Sequence, residues 1–511
     1  MAVPFVLATL ARRGLLRPGP PAEVVRQLTA LRRWGFGLAG ELRQAAARDP
    51  GRIAVVDEHG AVSYHELLDR AGRLARALHG TIGVEPGHRV GVLCRNSAAM
   101  IETVVAVTSL GADTVLINTG LAGPQLCTVA REQGLRALIH DDEFELPECL
   151  DGIGEARREE LIDGAPPGEP APPERAGRTI VLTSGTTGAP KGALRRTPGG
   201  FGPLCSMIDR IPLHVGDRVL IAAPLFHTWG YAGLQIAMAL RATVVLRRRF
   251  EPAAASAAMV QEKCTAMIAV PVMLQQLLEQ APAGAHPPLR VVAVSGSALP
   301  GGLATRFMDR YGDILYNVYG STEVSWASIA TPDDLRAAPN TAGRPPHGTR
   351  TVVLDEAGRP LPTGAVGRLF VGNEMLFDGY SNGTSRERRD GLLATGDLGH
   401  LDPAGRVFVD GREDDMIVSG GENVFPAEVE NLLAALPQVR EVAVIGVPDT
   451  RYGERLAAYL VPHPGEDLDP EAVREHVRRH LARFCVPRDV VFLTSLPRNA
   501  TGKVVTRELP R

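Results

Sequence analysis

The sequence predicts an α/β protein with a large N-terminal domain and a small C-terminal one, and three observations carry that expectation. The chain, at 511 residues, exceeds one ordinary domain. Short β-rich runs alternate with helical segments over most of its length. Beyond residue 351 the alternation yields to hairpin-like strands separated by glycines, and a separate helix–strand–strand–helix pattern closes the chain.

The elements follow in order. Ser63 and Glu66 have the spacing of a capping box, and Leu67, Leu68, Ala71, Leu74, Ala75 and Leu78 then fall on one helical face. Strands are expected at 89–94, 179–184, 218–223, 242–247, 291–296 and 314–319, in largely parallel sheets. The Pro- and Gly-rich stretch 164–177 reads as a surface loop inside the large domain. The glycine-punctuated strands GRLFVGN and GRVFVDGR suggest a small barrel-like part. Pro426 opens a helix in the C-terminal unit. The expected domains are 1–413 and 414–511, the second a small α+β domain.

Composition narrows the function. Formal charge is −3, from 55 basic and 58 acidic residues, so no global field points to nucleic acid. Cys94, Cys127, Cys149, Cys205, Cys264 and Cys485 show no zinc-ligand spacing and read mostly as small buried thiols of a reduced, cytoplasmic protein. No apolar run reaches the roughly 18 residues that span a bilayer. Phe5, Val6, Leu10, Leu15 and Leu16 with Arg12 and Arg13 allow a short amphipathic helix that touches membrane weakly, or one packed on its own domain. A monomer and a homodimer are equally compatible.

Residues 183–192, Thr-Ser-Gly-Thr-Thr-Gly-Ala-Pro-Lys-Gly, have the make-up of a phosphate cradle. Gly185 and Gly188 free backbone N–H groups to turn toward an anion. Ser184, Thr186 and Thr187 add hydroxyl donors, and Lys191 adds charge. The string is not a Walker A loop, because GxxxxGK followed by Ser or Thr is absent. It resembles the signature of the adenylate-forming (AMP-binding) superfamily, which includes acyl-CoA synthetases, luciferases and peptide-synthetase adenylation domains. Further motifs follow in that superfamily's order, from about residue 40 to the end.

What the resemblance implies can be stated residue by residue. Pro224 to Gly230 (PLFHTWG) would place His227, Trp229 and Gly230 at the carboxylate and acyl pocket. Gly296, Ser297 and Ala298 would flank the adenine. In 316–323 (YNVYGSTE), Asn317 and Tyr319 would meet the purine, Gly320 would make the turn, Thr322 would reach the α-phosphate and Glu323 would hold Mg²⁺. Asp397, in Thr-Gly-Asp-Leu-Gly, would bind the ribose hydroxyls together with Arg412. Asp414 would be the hinge of a mobile C-terminal domain, Gly420 would pass the pantetheine arm of CoA, and Lys503, in PRNATGKV, would be the catalytic lysine. Thr183, Ser184, Gly185, Thr186, Thr187, Gly188 and Lys191 would hold the ATP phosphates.

The expected activity is an ATP-dependent, AMP-forming acid:CoA ligase, with ATP, Mg²⁺ and CoA, acting on a medium- or long-chain fatty acid. Gly391-Leu392-Leu393 stands where many relatives carry an aromatic, which argues against acetate and aryl-acid activators. Met238, Met267 and the neighbours of His227 are candidate tunnel residues. Alternatives are a fatty-acyl-AMP ligase that loads a carrier protein, an aromatic or polyketide-type acid:CoA ligase, and a nucleotide-binding sensor. An amino-acid adenylation domain would want an acidic residue after Phe226, where His227 and Trp229 stand instead.

Overall fold

The computed structural model describes residues 3–183, 191–280, 287–419, 422–449 and 453–510. Two large mixed sheets dominate the N-terminal part. One has eight strands, parallel except for an antiparallel partner at each edge. The other has six, with Thr179–Thr183, Asp113–Leu116, Arg89–Leu93 and Leu135–His140 running parallel. The strands expected from the sequence are all present, with ends trimmed by one or two residues.

A shared apolar core joins the two sheets through helices Ala98–Ser109 and Thr228–Ala239. Both helices are apolar nearly all round and buried along most of their length, as a helix between two sheets must be. The polar residue Glu102 survives there because the guanidinium of Arg70 meets it at 2.6 Å. The capping box of helix Tyr64–Gly80 forms as expected, with Ser63 and Glu66 each bonding the other's backbone N–H.

The Pro- and Gly-rich stretch is a loop of the large domain, tied down by Arg175 on Asp113 at 2.7 Å and by the ion pair Arg43–Glu169. The N-terminal helix Val3–Arg12 packs on its own domain. Leu10 is buried, Arg12 pairs with Asp209 at 2.6 Å and Phe5 stacks on His347, while Val3 and Leu7 stay exposed. Cys94, Cys205, Cys264 and Cys485 are buried free thiols as expected. Cys127 and Cys149 depart from that expectation and form a disulfide. Among the described residues no helix is long and apolar enough to cross a membrane.

The glycine-punctuated strands form a five-stranded antiparallel sheet rather than a closed barrel. Two short strands, Arg388–Arg389 and Val407–Arg412, share one edge of Leu392–Leu401, and Arg350–Leu354 remains at the far edge. After Asp414 a fourth sheet of five strands begins at Ile417, with its own core around Val429, Leu433, Val473 and Val477.

Candidate active site

A cavity of about 1040 Å³ opens where the C-terminal ends of the eight-stranded sheet face the last sheet. Ligands of open α/β sheets bind at that end of the strands. The strand Leu315–Tyr319 leads into it, and its end, from Asn317 through Tyr319, lines the cavity. Gly320 must follow, because a Cβ there would lie 2.4 Å from the carbonyl oxygen of Ser325. The Ser321 hydroxyl accepts the N–H groups of Glu323 and Val324 at 3.2 and 3.3 Å, which folds the turn presenting Thr322 and Glu323. Thr322 is bonded to Thr228 through their hydroxyls at 2.9 Å, so this turn is fixed to the start of helix Thr228–Ala239.

Glu323 is buried and accepts the Tyr380 hydroxyl at 2.6 Å. Burial, then the nearby Glu323 carboxylate, pushes the Tyr380 phenol up to about 12, so it remains a donor. Among the described residues no group of three or more His, Cys, Asp or Glu gathers to hold a metal. One buried carboxylate suits Mg²⁺, which keeps most of its shell from water and substrate oxygens.

Asp397 and Arg412 sit opposite each other in the register of their two strands, and Arg412 donates to Asp397 at 3.1 Å. The Tyr319 hydroxyl donates to the other carboxylate oxygen at 2.5 Å. Burial raises the Asp397 pKa, against the opposing pull of Arg412 and the bonds from Tyr319 and Thr395. The result is a positioned carboxylate at the wall of the cavity, next to Tyr319.

Lys503 enters the same cavity from the far end of the chain. Its turn is built around Asn499, whose side-chain oxygen accepts the N–H of Lys503 at 3.0 Å and the hydroxyl of Thr501 at 2.7 Å. Gly502 sits at φ +81°, and a Cβ there would come 2.7 Å from Val272. Only glycine lets this turn rest against the large domain. Enclosure and then the Arg412 charge lower the Lys503 pKa, while Asp397 and Glu323 work against that.

His227 caps helix Thr228–Ala239, its Nδ1 accepting the Trp229 N–H at 3.5 Å. Burial lowers its pKa to about 4, helped by the cations Lys503 and Arg195, so the imidazole is neutral at physiological pH. Gly296, at φ +98°, leaves the adjoining wall open, since a Cβ would stand 3.7 Å from the His227 ring. Ser297 and Ala298 continue that wall.

The residues singled out from sequence therefore divide. Gly296, Ser297, Ala298, His227, Trp229, Asn317, Tyr319, Gly320, Thr322, Glu323, Asp397, Arg412, Asp414 and Lys503 all line one cavity. Trp229 is also anchored, its indole N–H donating to the Ala269 carbonyl at 3.0 Å. Gly230 is not at the cavity wall. A Cβ there would fall 2.2 Å from the Pro224 carbonyl oxygen, so it serves the tight entry to the helix. Met238 and Met267 are core residues with no exposed surface, not tunnel walls. Lys191 starts a strand directly opposite Thr183, with its ammonium 5.7 Å from the Tyr380 ring centre. Ser184, Gly185, Thr186, Thr187, Gly188 and Gly420 lie outside the described residues.

Sequence reasoning missed Glu41, Arg195 and Gln235, which also line the cavity. Burial raises the Glu41 pKa to about 8, so its carboxyl is largely neutral. None of the three belongs to a motif. Arg195 follows the Lys191 strand as the first of an Arg-Arg pair, and that was the one available signal. Leu392 and Leu393, read from sequence as evidence against aryl acids, are buried in the antiparallel sheet. They answer to packing and carry no information about the acid.

Comparison with known proteins shows the family. The family described as AMP-binding enzyme matches residues 42–381, and its C-terminal domain matches 428–503. The chain is 34% identical to an indoleacetate–CoA ligase of Aromatoleum aromaticum, over 90% of this chain and 94% of that one. It is 31% identical to the fatty acid–acyl-carrier-protein ligase ScoC of Streptomyces coeruleorubidus, over 91% and 94%. Among solved structures, o-succinylbenzoate CoA synthetase of Bacillus subtilis with its acyl-adenylate intermediate superposes with a TM-score of 0.81 at 30% identity, covering 92% and 98%.

Proposed function

The chain belongs to the AMP-binding enzyme family, and from that membership we propose that it is an acid:CoA ligase whose acid is compact and aryl-like. The coarse activity, ATP-dependent and AMP-forming acid–thiol ligation, is that of its relatives. The medium- or long-chain fatty acid expected from sequence gives way to the aryl alternative for two reasons. Relatives named for indoleacetate and succinylbenzoate align over nearly the whole chain. The polar lining by Glu41, Arg195 and Gln235 also suits an alkyl tail poorly.

One observation carries the reading. Lys503, 86 residues beyond the start of the last sheet at Ile417, reaches the cavity that also holds Thr322, Glu323 and Asp397. A substrate carboxylate oxygen attacks the α-phosphorus of ATP, and the bond to pyrophosphate breaks. Lys503 and Thr322 face the phosphoryl oxygens on which charge grows. Asp397 accepts from the ribose hydroxyls and keeps its orientation through Tyr319 and Arg412. Neutral His227 leaves the attacking carboxylate free of a competing proton. Mg²⁺, which Glu323 would hold, supplies charge neutralisation at the phosphates when bound. Loop 184–188 and Lys191 would complete the phosphate cradle.

In the second step the CoA thiol attacks the acyl carbon and AMP departs. Lys503 has no task there, so residues 414–511 are proposed to swing about Asp414 and bring Gly420 to the site. The test is product analysis with ATP, Mg²⁺, CoA and a panel of aryl and alkyl acids. Acyl-CoA and AMP should form best with aryl-type acids. Best turnover with C12 to C16 acids would refute the aryl assignment. Acyl-AMP accumulating without thioester would refute the CoA acceptor.

A further inference from the structure

Arg195 lines the cavity and has no ion-pair partner among the described residues. It follows the strand Lys191–Leu194, and its Nη2 donates to the Ser325 hydroxyl at 3.2 Å. That hydroxyl in turn donates to the Met375 carbonyl at 2.7 Å, so the guanidinium is held in one place. Its Nη1 is shielded from solvent and has no hydrogen-bond acceptor among the described residues. The adjacent Arg196, by contrast, pairs with Asp378 at 2.6 Å. Leaving a shielded guanidinium N–H unsatisfied costs stability, so an acceptor that arrives with the ligand would repay it.

The surroundings fix where that acceptor would be. Arg195 lies close enough to both His227 and Tyr231 to act on them electrostatically. His227 feels the Lys503 charge as well, so both cations act on the one imidazole. Tyr231 and Gln235 are one and two turns along the helix that His227 caps, which places them roughly 6 and 12 Å from it. Tyr231 is itself engaged with the Thr179 hydroxyl at 2.9 Å, so it does not satisfy Arg195. Burial lowers the Arg195 pKa to about 10, and the Tyr231 phenol is a weak offset.

Resting on the ligase reading above, we propose that Arg195 is a specificity-determining residue that binds a second oxygen acceptor on the acid, preferably an anionic one, across the ring from the reactive carboxylate. The acid class is thus an aryl or similarly short acid with a distal carboxylate, phenolic oxygen or ketone. A guanidinium discriminates best toward such an acceptor because an analogue lacking it leaves the buried N–H unpaired.

The experiment compares 4-carboxycinnamate, 4-hydroxycinnamate, 4-methylcinnamate and octanoate in the full-length protein and in Arg195→Met and Arg195→Lys. Initial pyrophosphate release gives kcat/KM, and calorimetric binding of each acid gives the same preference without turnover. The unaltered protein should favour 4-carboxycinnamate over 4-methylcinnamate by about tenfold or more. Arg195→Met should abolish or invert that ratio, and Arg195→Lys should retain part of it. An equal loss on all four acids in both variants, or an unaltered protein that favours the methyl compound, overturns the proposal. Binding with the expected preference but no pyrophosphate from any acid would instead contradict the ligase reading and leave the role of Arg195 supported.

Discussion

The Tyr319 hydroxyl donates to the Asp397 carboxylate at 2.5 Å, joining the strand end beside the nucleotide site to the sheet that precedes Asp414. Tyr319 thus has a task besides offering its ring to a purine: it holds the carboxylate that would bind ribose. Tyr319→Phe keeps the ring and removes that bond. KM for ATP should rise about tenfold or more, the worth of one charge-assisted hydrogen bond, with kcat little changed. Steady-state kinetics against ATP decide it. An unchanged KM would show that Arg412 alone orients Asp397.

Lys503→Ala should lower adenylation by about 100-fold or more, as loss of a charge-stabilising donor does elsewhere. Transfer to CoA from a supplied acyl-adenylate should stay near normal. Equal damage to both half-reactions would remove Lys503 from the first step.

Gly502→Ala tests the approach that delivers Lys503. The added Cβ meets Val272 and the residue must hold φ +81°, so the turn should leave its seat. The expected phenotype copies Lys503→Ala in adenylation with a melting temperature within a few degrees of the parent. Unimpaired adenylation would mean that the turn tolerates displacement.

Asp414→Pro should stall the swing between half-reactions. Asp414 lies in the short link between strands Val407–Arg412 and Ile417–Ser419, where a fixed φ limits rotation. Adenylate should form at a near-normal rate while CoA transfer falls about tenfold or more. A normal overall rate would place the hinge elsewhere.

The pH dependence follows from two depressed values. Lys503 acts as a cation, so adenylation is full at lower pH and falls as pH rises through a value below the ordinary lysine range. Lys503→Arg, if active, should lose that alkaline limb, because arginine stays charged. His227 acts neutral, and its pKa of about 4 places its limb far to the acid side. Above about pH 6 the profile should therefore show no histidine limb. A limb near 6.5 that disappears in His227→Asn would show the imidazole charged in the free enzyme.

Most of the site was legible because its residues sit in contiguous strings where each type has one chemical use. Glu323 and Thr322 follow a strand and a glycine, and Lys503 follows Thr-Gly, so order along the chain was enough. The rest of the lining was illegible for the opposite reason. Glu41, Arg195 and Gln235 come from three separate segments, and only folding brings them to one cavity. Met238 and Met267 misled because an apolar residue on a buried helix or strand looks the same whether it faces a core or a tunnel. Leu392 and Leu393 misled because the missing aromatic beside a motif was taken as a sign of the acid class, when those positions pack a sheet. Gly230 misled in the same way, since close backbone approach and ligand access both call for glycine.

The most direct test of the central claim is acid-dependent pyrophosphate release from ATP and Mg²⁺ in the absence of CoA, with nucleotide products resolved by chromatography. The account expects a burst of about one pyrophosphate per active site with an aryl acid, AMP as the nucleotide product once CoA is added, and no burst in Lys503→Ala. Formation of ADP and phosphate, or release that ignores the acid, would contradict it.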